Sequence, residues 1–589
     1  MRTNYMKKIH FLSGSLVIAR SLAVAALLLA ASVPASAGGT FVMATVTAPF
    51  TLDPSGDMDR QGSMIALNIY EPLVAFAGKS PDSGFVPVLS TEVPTKDNGL
   101  LSKDGLTYTF PVRKGVKFHD GTPLTAGEAA YSLQRAIITS DNSLFVKPIL
   151  GLNSIRGKDG AFAVSYSDIA KAVKADEDKL VITLKEPYQP FLSLLASKPM
   201  IISRAWAAAN GEWDGTQATW KKHFGVKANK SGLRAKANGT GPFRLDTVDQ
   251  KTGRVTLVKN EDYWGARAKL ERLIFTPMEK ETTRLSMLEM GDVDYADLSR
   301  SCLNDLADMK NLTVKEGPAS QAVTVFIYKF KVAPKDNPFI GSGKLDGKGI
   351  PADFFSDKDV RKAFAYSLDY EKILLEVARY KAQRITSPIP RPGAPAVSPY
   401  VYNHAKAEQH FKKAFGGKLW ESGFELSVPF VQGDDLSQQL WEKVAEAFAK
   451  INPRFVLKPA PRTLEDFIAN GENLALQMPL NWTSYAPAYP DNYNYAYVML
   501  YSEGPMSKYT GYSSKEIDKL CEETLLTPAD KREKLFARMD EIYAEDAPFI
   551  LLYSANKFMA FRKGITGTQS DNWLYYSNGY MDFSKVDKP

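Results

Sequence analysis

The chain contains five histidines, and their spacing gives only a weak match to any metal-ligand motif. They are His10, His119, His223, His404 and His410. The sequence also lacks His-Glu-x-x-His and Gly-x-Ser-x-Gly, the signatures of zinc proteases and of serine hydrolases. We therefore expect surface histidines, no catalytic residues and no cofactor.

A glycine-rich segment and pairs of acidic residues give only weak indications of a phosphate-binding or catalytic site. Residues 341–348 read Gly-Ser-Gly-Lys-Leu-Asp-Gly-Lys, but the glycines are misspaced for a phosphate loop. Gly349 also stands where a Ser or Thr would bind magnesium. Acid pairs such as Asp292 and Asp294 are common on solvated surfaces. Because a glycosidase can use carboxylates that are distant in sequence, an extracytoplasmic hydrolase stays an alternative.

Charge and composition argue against nucleic acid as a partner. The 589-residue chain has 73 basic and 66 acidic side chains, a formal charge of +7. Four of the basic residues, Arg2, Lys7, Lys8 and Arg20, lie in the first 37 residues, which contain no acid. The remainder is therefore close to neutral and lacks the excess of positive charge that is typical of nucleic-acid-binding proteins. The length predicts two or three domains.

The N-terminus has the pattern of an export signal. A positively charged stretch precedes the apolar run of residues 22–33, and Ala35-Ser-Ala37 supplies the small residues of a cleavage site. The apolar run is too short to cross a bilayer. We expect cleavage near Ala37 and a soluble periplasmic protein. Cys302 and Cys521 could pair in that compartment, or each could be buried separately.

Strands and helices alternate along the rest of the chain, which predicts an α/β fold. Residues 107–112 alternate as a strand, and Thr125-Ala-Gly-Glu128 forms a capping box in which Glu128 reaches back to the cap. Helices are also predicted at 281–290, 436–450, 464–470 and 515–525. Strands are predicted near 40–46, 179–185, 424–430, 454–458 and 474–478.

Four motifs resemble those of the extracellular solute-binding proteins of family 5, which serve importers of dipeptides, oligopeptides and nickel. They are Asp104–Glu128, Gly239-Thr-Gly-Pro-Phe243 with Asn260–Trp264, Phe355–Phe364, and Asn481-Trp482 with Tyr489–Asn492. Their order and spacing match the family from about residue 40 to 570. Since glycine, proline and capping residues dominate them, these motifs report on fold more than on ligand.

The resemblance implies a two-lobed periplasmic-binding-protein fold, class II-like, with three domains and two crossover hinge segments. Domain I is discontinuous over 38–70, 190–285 and 549–589, domain II is inserted at 71–189, and domain III spans 286–548. The hinges are expected near 280–300 and 540–555.

The same resemblance implies a monomeric ligand trap that closes over a peptide or peptide-like solute and delivers it to an inner-membrane ABC permease. Alternatives are a neutral ligand such as an oligosaccharide, and a sensory receptor built on the same trap. Nickel binding is disfavoured because histidine is scarce.

The expected ligand-binding residues follow the fourth motif: Trp482, Thr483, Tyr485, Tyr489 and Asp491. Peptide binders of the family place an aspartate three residues after the tryptophan, where this chain has Tyr485. The arginine that dipeptide binders carry after the 424–430 strand is also missing from Val431–Asp435. The ligand should therefore lack a free dipeptide's paired charges. Asp491 either binds an amine or caps the next helix. The tyrosines dense around this motif, at 485, 489, 493, 495 and 497, could supply aromatic faces and hydroxyls to the ligand, or the alternate tyrosines Tyr493 to Tyr497 could be a strand with packed aromatics.

Overall fold

The computed structural model describes residues 39–588 except 57, 140–143, 158, 199, 378–381 and 392–397. The predicted signal peptide, residues 1–37, lies outside the described residues. Within the described part of the chain, no helix combines the length and apolar character needed to cross a bilayer.

Seventeen strands are described. They are β1 (Thr40–Thr45), β2 (Val74–Phe76), β3 (Phe85–Pro87), β4 (Thr107–Pro111), β5 (Val173–Asp176), β6 (Lys179–Thr183), β7 (Phe243–Val248), β8 (Val255–Lys259), β9 (Arg272–Pro277), β10 (Tyr295–Ala296), β11 (Leu312–Ala319), β12 (Val323–Tyr328), β13 (Ala382–Arg384), β14 (Phe424–Val431), β15 (Phe455–Arg462), β16 (Leu480–Tyr485) and β17 (Phe549–Arg562).

The described α-helices are α1 (Arg60–Ile69), α2 (Ala126–Thr139), α3 (Val146–Leu150), α4 (Tyr166–Ala172), α5 (Phe191–Ala196), α6 (Arg204–Ala209), α7 (Glu281–Met290), α8 (Leu303–Ala307), α9 (Lys358–Ser367), α10 (Tyr370–Lys372), α11 (His404–Lys413), α12 (Lys418–Ser422), α13 (Asp435–Ile451), α14 (Leu464–Gln477), α15 (Asn492–Met499), α16 (Pro505–Thr510), α17 (Lys515–Leu526), α18 (Glu533–Asp546) and α19 (Trp573–Asn578).

One mixed sheet of ten strands joins the two lobes in the order β16-β12-β17-β10-β1-β9-β8-β7, and β11 and β13 also pair with β17. The long strand β17 pairs antiparallel with β12 at one end and with β11 at the other. Residues 312–328 and 549–562 are thus two hydrogen-bonded segments that run from one lobe to the other. We call them the crossover ribbon.

The crossover ribbon tests the predicted hinge positions. The interval 540–555 overlaps β17, as expected. The interval 280–300 instead contains α7 and β10, and β10 pairs in parallel with β1 of the first lobe. The chain crosses later, at β11 and β12, because these strands and not β10 continue along β17.

Smaller sheets complete the two lobes. Strands β4, β6 and β5 form an antiparallel sheet under α2, and β2 and β3 form a hairpin. In the second lobe, β14 and β15 form a parallel pair that packs on α13. The predicted strands of 107–112, 179–185, 424–430 and 454–458 are therefore confirmed within a few residues. The predicted strand at 474–478 is wrong, because those residues are mainly the last turn of α14.

Two apolar clusters lie on opposite faces of the second-lobe strands. Val323, Val325 and Leu551 belong to a large cluster that also fills the first lobe, whereas Phe326 and Trp441 belong to a second cluster. Strand alternation produces this division, since neighbouring residues of β12 point to opposite faces. The sheet is thus covered on both sides.

The cysteines match one of the two alternatives that the sequence left open, whereas the capping box differs in detail from its prediction. Cys302 and Cys521 do not form a disulfide, and each is buried in a different apolar cluster. The Thr125 hydroxyl accepts from the Glu128 backbone amide at 3.2 Å. The Glu128 carboxylate, however, accepts from the Arg204 backbone amide, so only half of the predicted capping box forms.

Candidate functional site

Strand β16 carries three of the predicted ligand-binding residues at one end of the large sheet. It pairs antiparallel with β12, which places Tyr485 opposite Val323 and Trp482 opposite Phe326. No second partner strand is described for β16. The backbone N–H of Trp482 donates to the Asn481 side-chain oxygen at 2.8 Å. The outer edge of β16 is therefore not occupied by another described strand.

Trp482 is half-buried and is held by a polar contact to the start of α13. Its indole Nε1 donates to Ser437 Oγ at 3.0 Å, and the Ser437 hydroxyl donates to Asp434. Asp434 is the N-cap of α13 and accepts from the Ser437 amide at 3.1 Å. The indole is thereby fixed against the second-lobe core, with part of its surface accessible.

Tyr485 and Thr483 point to the opposite face of β16. The Tyr485 hydroxyl donates to Asn494 Oδ1, and its ring lies edge-on to Tyr495 with 5.9 Å between centroids. Burial, followed by the neighbouring tyrosines, raises the pKa of Tyr485. Thr483 is half-buried opposite Val325. Tyr485 is therefore a neutral side chain whose hydroxyl already has a protein partner.

Tyr489 makes a contact between the two lobes. Its hydroxyl lies 2.6 Å from the hydroxyl of Tyr188, which follows β6 in the first half of the chain. Both side chains are buried, and Tyr493 lies edge-on to Tyr188. A cavity of about 210 Å³ adjoins this pair, with lining residues that include Tyr497, Lys147 and Lys508. The side chain of Tyr489 is therefore buried in a contact with the first half of the chain.

Asp491 caps the next helix, one of the two roles that the sequence left open. It is the N-cap of α15 and accepts from the Tyr493 amide at 2.8 Å. Arg532 donates to both Asp491 oxygens at 3.0 and 3.1 Å. Burial raises the pKa of Asp491, and the charge of Arg532 opposes that rise. This carboxylate is consequently committed to a helix and to an arginine.

The predicted strand of tyrosines at 493–497 is wrong, because these residues form α15. Tyr493 and Tyr497 stack at 5.9 Å between centroids, and Tyr497 and Tyr501 stack at 5.6 Å. Residues four apart lie on the same face of a helix, which allows this stacking.

A cavity of about 620 Å³ lies between the lobes, and we call it the interlobe cavity. The loop between β2 and β3, residues 80–82, forms one wall. The crossover ribbon contributes Ser320, Gln321, Val323 and Ser554, and the second lobe contributes most of the remainder. The second-lobe lining residues are Gln383, Ile385, Pro390, Arg391, Pro490, Asp491, Asn492, Tyr495, Arg532 and Phe536.

Most of the charges that line the interlobe cavity are already paired. Arg532 binds Asp491, and Arg391 Nη2 donates to the buried Asp540 at 2.7 Å. The rest of the lining consists mainly of neutral polar groups, prolines and aliphatic side chains, with the two aromatic rings of Tyr495 and Phe536. Its size is typical of sites that enclose a small ligand.

Two basic residues on the first-lobe side were not predicted from the sequence. Arg60 begins α1 and binds Asp297 at 2.6 Å. Lys557 lies on β17, three residues after Ser554, and donates to the Ser577 carbonyl at 2.9 Å. The available signal was a lysine within the otherwise largely apolar segment 549–562.

Two of the histidines, His119 and His410, have polar partners within the protein. His119 Nε2 lies 3.0 Å from the Gly241 carbonyl, and burial lowers its pKa to about 4. It is half-buried, so the prediction of a surface position is wrong for this residue. His410 Nδ1 lies 2.6 Å from Asp359. Among the described residues, no group of three His, Cys, Asp or Glu side chains is arranged to hold a metal ion.

Two lobes, a paired crossover ribbon and a cavity between them define the class of two-lobed periplasmic binding proteins. The family model of the bacterial extracellular solute-binding proteins, family 5 Middle, matches residues 85–507. The chain belongs to this family, as its four motifs predicted. The family and its relatives are solute-binding proteins rather than enzymes, and they act outside the cytoplasm.

Individual relatives bind different solutes. The dipeptide-binding protein DppE of Bacillus subtilis is 22% identical over 509 residues, which are 83% of this chain and 82% of that protein. Heme-binding protein A of Haemophilus influenzae is 26% identical over 534 residues, or 87% of each chain. The structure of the oligopeptide-binding protein AppA of B. subtilis with a nonapeptide has a TM-score of 0.71 and 19% identity, and covers 94% of this chain and 99% of AppA.

Proposed function

We propose that the protein is the substrate-binding component of an ABC importer and that it captures a peptide or peptide-like solute in the interlobe cavity. The observation that carries this proposal is that both lobes and the crossover ribbon line one cavity of about 620 Å³. The peptide-binding relatives support a peptide over an oligosaccharide. The protein binds its solute without changing it and passes it to an inner-membrane permease.

The geometry gives a mechanism for capture. A solute that contacts both walls makes more contacts in the closed state than in the open state, so it shifts the population toward closure. The Tyr188–Tyr489 hydrogen bond, 2.6 Å long, joins the two lobes in this conformation and would be lost if they separated. The permease would then recognise the closed form.

Strand β16 supports an extended ligand. It ends at Tyr485, opposite Val323, which lines the interlobe cavity. An extended peptide can pair its backbone with the outer edge of such a strand, while side-chain pockets set specificity. Trp482 and Thr483 would then lie beside the ligand.

The second lobe does not favour a simple dipeptide. Tyr485 is neutral at the position of the family's amine-binding aspartate, and Asp491 is paired with Arg532. A free amine would therefore find no unpaired carboxylate among these residues. We propose a longer or modified peptide as the ligand.

The remaining proposals concern the mature protein. It is exported to the periplasm, cleaved near Ala37 and functions as a monomer. We propose that its inserted domain is 71–189 and that its discontinuous first domain includes 38–70 and 190–285, with the first crossing at the ribbon strands β11 and β12 rather than at 286, since β10 still pairs with β1.

Isothermal titration calorimetry tests the ligand class. We expect a panel of tetra- to hexapeptides to bind about tenfold or more tightly than simple dipeptides, because dipeptides depend on paired charged anchors. Trp482→Ala should weaken binding, whereas Trp206→Ala, in the small inserted domain, serves as the matched control. Tight binding of unmodified dipeptides would contradict the anchor argument, and a chemically altered peptide in the mass spectrum would contradict the binding-only role.

A further inference from the structure

The first-lobe wall of the interlobe cavity consists of three residues, Ser80, Pro81 and Asp82. The other lining residues belong to the crossover ribbon or to the second lobe. A solute that shifts the protein toward the closed state must gain contacts on both sides, so its first-lobe contacts depend on this short loop. Asp82 is the charged member of the three.

The loop holds the Asp82 carboxylate in position. Strands β2 and β3 pair antiparallel on either side of it, and the rings of Phe76 and Phe85 lie 5.6 Å apart between centroids. The Asp82 backbone amide donates to Ser80 Oγ at 3.2 Å, and the Ser80 hydroxyl donates to Asp82 Oδ2 at 3.3 Å. Among the described residues, only Oδ2 has a donor, so Oδ1 can accept a hydrogen bond from a ligand.

Asp82 also lacks an ion-pair partner within the described part of the chain. It is exposed, and the nearest lysine along the chain, Lys79, pairs with Asp571 at 3.3 Å. Four charged residues line the cavity, and Asp82 is the one for which no partner of opposite charge is described.

The two arginines of the cavity lining have carboxylate partners of their own. Arg532 binds Asp491 at 3.0 Å, and Arg391 binds Asp540 at 2.7 Å and Glu533 at 3.1 Å. Three carboxylates therefore contact two guanidinium groups before Asp82 is counted. This excess of negative charge favours a cationic group of the ligand over an anionic one.

We propose that Asp82 binds a primary ammonium group of the ligand at the first-lobe wall of the interlobe cavity. This inference rests on the proposed solute-binding function and specifies its ligand as a peptide or peptide-like solute with a free amine. The family resemblance assigned the amine to the position of Tyr485, whose hydroxyl is bound to Asn494. Asp82 provides a carboxylate on the opposite wall instead.

The position of Asp82 links recognition of the amine to closure. A carboxylate accepts charge-assisted hydrogen bonds from an ammonium group, and such bonds are about twice as strong as neutral ones. An exposed ion pair contributes little in water, but its attraction strengthens where water is excluded. Because Asp82 lies on the first lobe and most lining residues lie on the second, a bound ligand brings its ammonium group to Asp82 as the lobes approach.

Isothermal titration calorimetry with tetra-alanine and N-acetyl-tetra-alanine tests the subsite in the mature protein. The wild type should bind the free amine about tenfold more tightly than the acetylated peptide. Asp82→Asn should lose this preference, and Asp82→Glu should keep it. Asp104→Asn is the matched control, because Asp104 is also exposed and also accepts from a serine two residues earlier, but it does not line the cavity.

A third peptide distinguishes the two sources of an ammonium group. N-acetyl-Ala-Ala-Lys-Ala has only the amine of its lysine side chain. If it binds as tightly as tetra-alanine and is weakened by Asp82→Asn, the subsite accepts a side-chain amine. If it binds as weakly as N-acetyl-tetra-alanine, the subsite is specific for the peptide N-terminus.

The outcomes separate this inference from the proposed function. If peptides bind but acetylation has no effect, or has the same effect in Asp82→Asn, the subsite is wrong and the peptide assignment stands. If no peptide binds, the peptide assignment is wrong, and a thermal shift experiment decides the subsite. Ethylammonium chloride, compared with sodium chloride at equal ionic strength, should then raise the melting temperature of the wild type and of Asp104→Asn more than that of Asp82→Asn. Equal shifts in all three proteins would overturn the subsite.

Discussion

Arg135 is a buried cation and Lys557 a half-buried one, and they differ in what surrounds them. Arg135 lies on α2 with 1% of its side chain exposed and binds Asp53 at 2.6 Å and Glu212 at 2.5 Å. Lys557 donates to a backbone carbonyl, that of Ser577 at 2.9 Å, and no ion pair with a carboxylate is described for it. One cluster is closed by its own carboxylates, while the other lacks a counter-ion.

The comparison distinguishes a charge that is neutralised within the protein from a charge that another group, such as a ligand, could neutralise. A buried ion pair is strongly coupled, so removal of one member leaves an uncompensated charge. A buried ion without a partner already destabilises the folded state, and such residues are retained where function requires them. We therefore expect that replacing Arg135 by a neutral residue lowers the free energy of unfolding, whereas replacing Lys557 by a neutral residue raises it.

The largest effect should come from Arg135→Met. This change leaves Asp53 and Glu212 buried without their cation, and we expect a loss of about 3–5 kcal/mol in the free energy of unfolding. Urea denaturation measures it. The control is Arg538→Met, because Arg538 binds Glu516 and Glu541 on the surface, where such pairs contribute about 0–1 kcal/mol. Equal losses in both variants would contradict the assignment of a closed structural cluster.

Lys557→Met should act in the opposite direction and stabilise the protein by about 1–2 kcal/mol at neutral pH. The folded-state pKa of Lys557, about 7, lies below its ordinary value of 10.5. The unfolded chain therefore binds more protons between these values, and the stability of the wild type rises from pH 7 to 10.5. The Met variant should lack this contribution, so the two unfolding curves converge at high pH.

Denaturation at several pH values provides the measurement, with Lys315→Met as the control, because Lys315 is a half-buried lysine on β11 that donates to Thr568 at 2.8 Å. If Lys557→Met destabilises the protein at pH 7, then Lys557 is compensated as fully as Arg135, and the contrast between the two sites is lost.

The smallest effect should come from Tyr188 and Tyr489, two neutral side chains whose hydroxyls form a hydrogen bond. Tyr188→Phe removes one of two buried hydroxyls that face each other across the lobes, which should cost about 1–2 kcal/mol. The double variant with Tyr489→Phe should cost less than the sum, because neither hydroxyl is then left alone. Tyr402→Phe, at an exposed position, is the control. Additive effects would show that the two hydroxyls do not interact.

Local sequence signals predicted much of the fold but not all of it. Capping residues, turns and alternating apolar residues located strands such as β4 and helices such as α7 because they act over a few residues. The tyrosines of 493–497 were assigned to a strand since tyrosine has a high strand propensity. Asp491 caps them as a helix, and their four-residue spacing, which continues to Tyr501, was the overlooked signal.

The candidate site was less predictable because charge pairing is a tertiary property. Of the predicted ligand-binding residues of the fourth motif, Asp491 lines the interlobe cavity, whereas Trp482, Thr483, Tyr485 and Tyr489 are not among its described lining residues. Whether Asp491 was available for a ligand depended on Arg532, which comes 41 residues later.

The long strand β17 has a further consequence for how the protein can be divided. It completes the sheet of both lobes, since β12 pairs with its first half and β11 with its second. Neither lobe can be produced alone without exposing an unpaired strand edge, which favours aggregation. The two halves are therefore expected to fold as mutually dependent parts, even though their function requires them to rotate relative to each other.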